Sequence, residues 1–221
     1  NTIIIKKEFM KKYLGEFIGT FFLVSTIIGS GIMAQNLADE NQAIALLGNA
    51  IATGAILFVM ISMFAPISGA HFNPIVSFVF YLRKELNMNT FIIFSFIQII
   101  AGLVAVIITH YIFEINIFQI STNNRGEYPL FLSEIIATIG LVLTILHLRS
   151  NNDNVALGVA LFITAGYWFT SSTSFANPAV TISRIFTNTF TGIAPISVPY
   201  FLFGQIIGSY LGYKTYNYFN N

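Results

Sequence analysis

Cysteine is absent from the 221 residues, which excludes disulfides, thiol catalysis and cysteine-ligated metals and leaves the redox compartment open. Charge is scarce as well. Only 9 % of residues are charged, against about 25 % in soluble domains, and a net charge of +1 gives no long-range pull on nucleic acid. No group of His, Asp and Glu has metal-ligand spacing, and no Ser, His and Asp set converges, so neither a cofactor nor an enzymatic reading finds support. What is abundant is apolar: 55 % hydrophobic residues, with 23 Phe. A polytopic protein embedded in membrane lipids is the class this composition indicates.

Apolar windows of the ~20 residues needed to cross a bilayer fall near 13–34, 43–65, 90–113, 130–149, 155–173 and 197–218. The first is longer than a signal-peptide core and lacks a cleavage signature before the acidic loop, so it reads as a retained span. Lys6, Lys7, Lys11, Lys12, Arg83, Lys84, Arg149 and Lys214 share one side, which the positive-inside rule makes cytoplasmic together with both termini. Landmarks recur in order along the chain. Glu16 opens the first span and Glu134 the fourth, while Gln98 lies in the third and Gln205 in the sixth. Each half holds three spans, an odd number, so the second half enters the membrane inverted relative to the first. The expectation is one transmembrane domain over 1–221, with inverted repeats at about 8–113 and 128–218.

Between these landmarks stand Asn73-Pro74 and Asn177-Pro178, each before a short apolar run. Asn is a favoured helix N-cap and Pro suits the first helical position. A single Asn-Pro is ordinarily a turn. Two copies at matching places in an inverted repeat predict two re-entrant half-helices, near 73–82 and 177–187, whose N-termini meet at the bilayer centre. Each N-terminus carries roughly half a positive charge, so cations are opposed there while neutral solutes pass. With the Asn oxygens spent on capping, the amide groups of Asn73 and Asn177 would donate into the lumen. The fold class is therefore an all-α membrane protein of six transmembrane helices plus two re-entrant half-helices, and the cargo is small, neutral and hydrogen-bonding.

These residues resemble the signature of the aquaporin, or major intrinsic protein, family. The string 68–77, with Asn73, Pro74 and Ile75 where Ala is usual, is similar to the first family motif, and Asn177, Pro178 and Ala179 match the second outright. The resemblance implies a pore in every monomer, a homotetramer and no cofactor. It also implies that Glu16 and Glu134 support the loops before the half-helices by accepting hydrogen bonds, with Gln98 and Gln205 assisting or lining the pore. His71 reads as a hydrogen-bonded structural residue, with a pH gate as the alternative.

Departures from the family pattern bear on the solute. The arginine of the outer constriction is replaced by Val180, and the second-span aromatic by Thr53. The fifth-span partner falls at Ala165, Gly166 or Tyr167, and Ser174 supplies a carbonyl or hydroxyl from the loop. A wider, less cationic mouth follows, unless Arg184, one turn beyond Val180, reaches back. The string 173–184 is similar to a bacterial aquaporin subgroup associated with arsenic resistance. Water, glycerol, urea and trivalent arsenic or antimony hydroxides are the candidate cargoes. A secondary active transporter, or a pore-inactive structural membrane protein of the same fold, is the alternative. Abundant Ile, Asn, Lys and Phe fit a prokaryotic inner membrane. His110 and His147 read as interfacial, and the loop near 114–129 as mobile.

Overall fold

The computed structural model describes residues 2–220, with side chains from Met10 onward, so Lys6 and Lys7 lie outside the described side chains. Eight α-helices follow one another: α1 (Thr2–Leu37), α2 (Gln42–Ser68), α3 (Pro74–Leu82), α4 (Met88–Ile112), α5 (Tyr128–Ser150), α6 (Val155–Phe169), α7 (Pro178–Ser183) and α8 (Val198–Asn220). No strand occurs among the described residues. Helices α1, α2, α4, α5, α6 and α8 are the six spans, and α3 and α7 the two half-helices. Four of the spans, α1, α2, α4 and α5, are long and apolar enough to cross a membrane by themselves.

Asparagine starts most of these helices. Asn41, Asn87 and Asn154 accept from backbone amides two or three residues ahead and so cap α2, α4 and α6, while Asn73 and Asn177 do the same for α3 and α7. Each cap satisfies an otherwise orphaned amide, worth about 1 kcal/mol. At the other end of α2, Gly69 adopts φ 92° and returns its N–H to the Ala65 carbonyl, which turns the chain toward Asn73.

Packing repeats in the two halves. Helix α1 packs on α2 and α4, and α5 packs on α6 and α8, while α2 and α6 join the halves. Both half-helices sit against α4 and α8 and touch each other. The α5–α8 contact is close because Gly204, Gly208 and Gly212 form a bare stripe at four-residue spacing. A Cβ on Gly204 would stand 2.7 Å from the Phe131 carbonyl oxygen, and one on Gly208 2.6 Å from that of Ile135. Across the molecule, Gly19 gives way to the Phe72 ring, which a Cβ would meet at 2.0 Å.

Four expectations change. Helix α6 stops at Phe169, not near 173, because Thr170 is extended and starts the descent toward Asn177. Helix α7 has only six residues before a 3-10 turn at Arg184–Phe186, shorter than the run expected to 187. The connection near 114–129 is fastened: Ser121 donates to the Ile185 carbonyl at 2.8 Å, and Ala194 to that of Asn123 at 2.8 Å. His110, expected at an interface, is fully buried beneath this connection, bonded to the Ile117 carbonyl and Thr187.

Candidate functional site

The segments before the half-helices are irregular backbone at membrane depth, and each is organised by one buried carboxylate. Glu16 accepts from Ser68 Oγ at 2.7 Å, the His71 amide at 2.9 Å, the Phe72 amide at 2.7 Å and Gln98 Nε2 at 2.8 Å. Glu134 repeats the pattern with the amides of Phe175 and Ala176 at 3.0 and 2.8 Å and Gln205 Nε2 at 2.6 Å. Both glutamates are wholly buried, where an unbonded carboxylate would be severely penalised. The bonds have a backbone purpose. Phe72 and Ala176, the residues before each Asn, hold left-handed φ angles of 49° and 44°, costly for non-glycine residues unless the surroundings fix them.

Neither glutamine lines a cavity. Gln98 and Gln205 are fully buried and split their donors between the carboxylate and a hydroxyl, Ser77 at 3.2 Å or Thr181 at 2.9 Å. Ser77 and Thr181 each stand four residues after a capping Asn, a correspondence that alignment of the two repeats could have found. His71 is hydrogen-bonded through Nδ1 to Ser77 Oγ at 3.0 Å and lies 4.6 Å from the Phe80 ring.

At the centre the two halves are tied by the capping asparagines. The Asn73 Nδ2 donates to the Ala176 carbonyl at 2.7 Å, and Asn177 Nδ2 to the Phe72 carbonyl at 2.9 Å. An amide NH2 has two hydrogens, so each side chain spends one on the opposite loop, not both on the lumen as expected from sequence. Asn73 and Asn177 together border a cavity of about 330 Å³. Its walls are largely apolar, including Leu57, Ile61, Val76, Val159, Ile163 and Val180. Phe80, His71 and Arg149 border it toward the side of the chain termini, and no Asp or Glu lines it. Ile75 and Ala179 stand behind the caps: they are buried, their amides bond the Asn73 and Asn177 oxygens, and neither lines the cavity.

Toward the opposite, distal side the cavity passes Thr53, Tyr167, Ser174, Val180 and Arg184. Thr53 Oγ1 and the Tyr167 hydroxyl are 3.1 Å apart, so Tyr167 is the fifth-span residue facing the lumen. Ala165 is exposed on the outer surface of α6, and Gly166 is pressed against Ser174, where a Cβ would stand 2.6 Å from that residue's own. Those two assignments are therefore corrected. The distal mouth is also not free of arginine. Arg184 is buried, donates through Nε to the Thr191 carbonyl and places its Cζ 3.6 Å from the centre of the Phe175 ring.

Beyond Arg184 and Tyr167, which border both spaces, lies a vestibule of about 550 Å³. Sequence reasoning missed its second cation. Arg125, from the α4–α5 connection, donates to the carbonyls of Gly192 at 2.7 Å and Phe190 at 3.2 Å and lies 5.2 Å from the same Phe175 ring. Burial pushes its pKa down to about 10, which leaves it charged at neutral pH. Nothing local in the sequence marks Arg125, because its neighbours are ordinary loop residues.

Comparison with known proteins agrees with this geometry. The chain is 42 % identical over 203 residues to the aquaglyceroporin AqpS of Rhizobium meliloti (strain 1021), covering 91 % of this chain and 87 % of that protein. It is 28 % identical over 216 residues to the aquaporin NIP2-2 of Zea mays, covering 94 % of this chain and 71 % of the relative. Its fold matches the X-ray structure of the aquaglyceroporin from Plasmodium falciparum with a TM-score of 0.77 at 22 % identity, over 94 % and 95 % of the two chains. The family model for major intrinsic proteins matches residues 4–163. Given that match and the relative at 42 % identity, the chain belongs to the major intrinsic protein family.

Proposed function

We propose that this multi-pass membrane protein is a passive channel for water and small neutral solutes of the glycerol class, with one pore in each monomer. The observation that carries the reading is the cavity that runs past both capping asparagines with apolar walls and no carboxylate. A solute there meets amide donors and backbone carbonyls at the centre, and an ion would lose its hydration without a compensating partner. Coupled transport needs an ion site at the helix breaks, and the two glutamates nearby are spent on loop amides. That favours passive flow.

The proposed constriction comprises Thr53, Tyr167, Ser174, Val180 and Arg184. Thr53 and Val180 are small, Tyr167 supplies an aromatic edge with a hydroxyl, and Arg184 reaches the mouth from one turn later. Such an opening suits polyols, and trivalent arsenic hydroxide has a polyol's shape and hydrogen bonding. The halves 8–113 and 128–218 act as inverted repeats, a reading supported by the paired Glu, Asn and Gln contacts. Basic residues on the side of the termini support a cytoplasmic assignment for them in a prokaryotic inner membrane, and a homotetramer is the proposed assembly.

Stopped-flow light scattering on proteoliposomes tests the reading. Osmotic water flux and glycerol uptake should both exceed those of empty vesicles, with arsenite uptake measured in parallel. Flux equal to that of empty vesicles would overturn the channel, and water flux without glycerol would overturn the wide constriction.

A further inference from the structure

The vestibule outside the constriction carries two cations and no anion. Arg184 and Arg125 both lie over the Phe175 ring, so their Cζ atoms are separated by no more than the sum of 3.6 and 5.2 Å. Among the described residues neither has a carboxylate partner, since the ion pairs present there join Glu85 to Arg83 and Arg149. The acid whose field reaches both is Glu134, which is already committed to the Phe175 and Ala176 amides and Gln205.

Donor accounting sharpens the point. A guanidinium has five N–H donors. Arg184 spends Nε on the Thr191 carbonyl, and Arg125 spends Nε and one terminal nitrogen on Gly192 and Phe190. The remaining terminal N–H groups belong to side chains that border the 550 Å³ vestibule. Thr122, Asn123, Asn188 and Thr189 add further polar groups to its wall. Like charges this close repel, and an anion between them removes that repulsion as well as the unmet donors.

We propose that the distal vestibule is a binding site for a small oxyanion, held between Arg125 and Arg184 outside the constriction. The planar forks favour carboxylate or phosphate geometry over a spherical ion. The anion stays in the vestibule, because past Val180 the walls are largely apolar, with Arg149 only at the far end, and stripping its hydration there costs several kcal/mol. Arg184 and Tyr167 border both spaces, so an anion seated there stands in the path of neutral solutes and blocks them. The site does not depend on which solute is carried.

Purified protein titrated with inorganic phosphate in zwitterionic buffer, with chloride at matched ionic strength as the control, reads binding through thermal stability. Phosphate should raise the Tm progressively, and chloride should not. In proteoliposomes, phosphate at ten times its dissociation constant occupies about nine-tenths of the sites and should slow solute flux roughly tenfold. Arg125→Gln should abolish the Tm shift, and Arg125→Lys should retain a weaker one because the charge survives without the fork. A Tm unchanged by phosphate in the unmodified protein, a shift equal to chloride's, or an undiminished shift in Arg125→Gln would each overturn the proposal. Because the Tm readout needs no flux, its failure is distinct from failure of the channel reading.

Discussion

Asn73 donates its amide to the Ala176 carbonyl at 2.7 Å, so the cap of one half-helix holds the loop of the other. The reciprocal bond from Asn177 to the Phe72 carbonyl, at 2.9 Å, makes the junction a mutual clasp. Capping and clasping use different atoms of the same side chain. The oxygen accepts from the half-helix, and the nitrogen donates across the pseudo-symmetric centre.

Asn177→Asp keeps the capping oxygen and removes the clasp, leaving a carboxylate facing the Phe72 carbonyl. The negative charge offsets the positive helix ends. Measured by current or cation flux in planar bilayers, the variant should admit monovalent cations that the unmodified protein excludes; undiminished exclusion would place the barrier elsewhere.

Val180→Arg introduces a second guanidinium one turn before Arg184, into a cavity wall that is now apolar. Glycerol uptake should fall by at least about tenfold, a penalty of about 1.4 kcal/mol at the barrier, while water flux falls much less. Equal loss of both would argue against Val180 as part of the constriction.

Glu16→Gln replaces an acceptor-only group by an amide whose NH2 faces donors already aimed at it. Left unmet, a buried donor costs about 1–3 kcal/mol. Each carboxylate holds two loop amides and a glutamine, so thermal unfolding should show a Tm loss for Glu16→Gln and for Glu134→Gln alike. An unchanged Tm would count against both as organisers of the loops.

Glu85, on the side of the termini, makes the stability of the fold depend on pH. Partial burial raises its carboxyl pKa, but the hydrogen bonds and charges of Arg83 and Arg149 outweigh this and hold it below its ordinary value. A depressed folded pKa gives stability above the unfolded value, near pH 4.3, that is lost as pH falls through the folded one. The pair is partly solvated, so the gain is at most about 1 kcal/mol. Glu85→Gln should lower the Tm slightly at pH 7, and the difference should shrink as pH falls below the unfolded value and close once Glu85 is protonated in the fold as well. A difference that persists there would assign the effect to packing.

Much of the architecture is carried by local signals. Apolar length marks the spans, and Asn-Pro fixes where α3 and α7 begin, because a cap and its first turn involve adjacent residues. The loop-supporting glutamates came from their repeated position together with the family resemblance. The fifth-span residue was a different problem. Successive helical residues differ by about 100° around the axis, so Ala165, Gly166 and Tyr167 point three ways, and only the packing of α6 on α2 and α5 turns Tyr167 to the lumen.

The sequence by itself thus determined the spans and the half-helix caps, since hydropathy and capping are decided within a few neighbouring residues. Only the tertiary structure decided that Arg184 returns a cation to the mouth, that Arg125 joins it over Phe175, and that each Asn clasps the opposite loop. Those contacts join residues distant in the chain, and a side chain's destination across such a gap depends on how whole helices rotate and settle against one another.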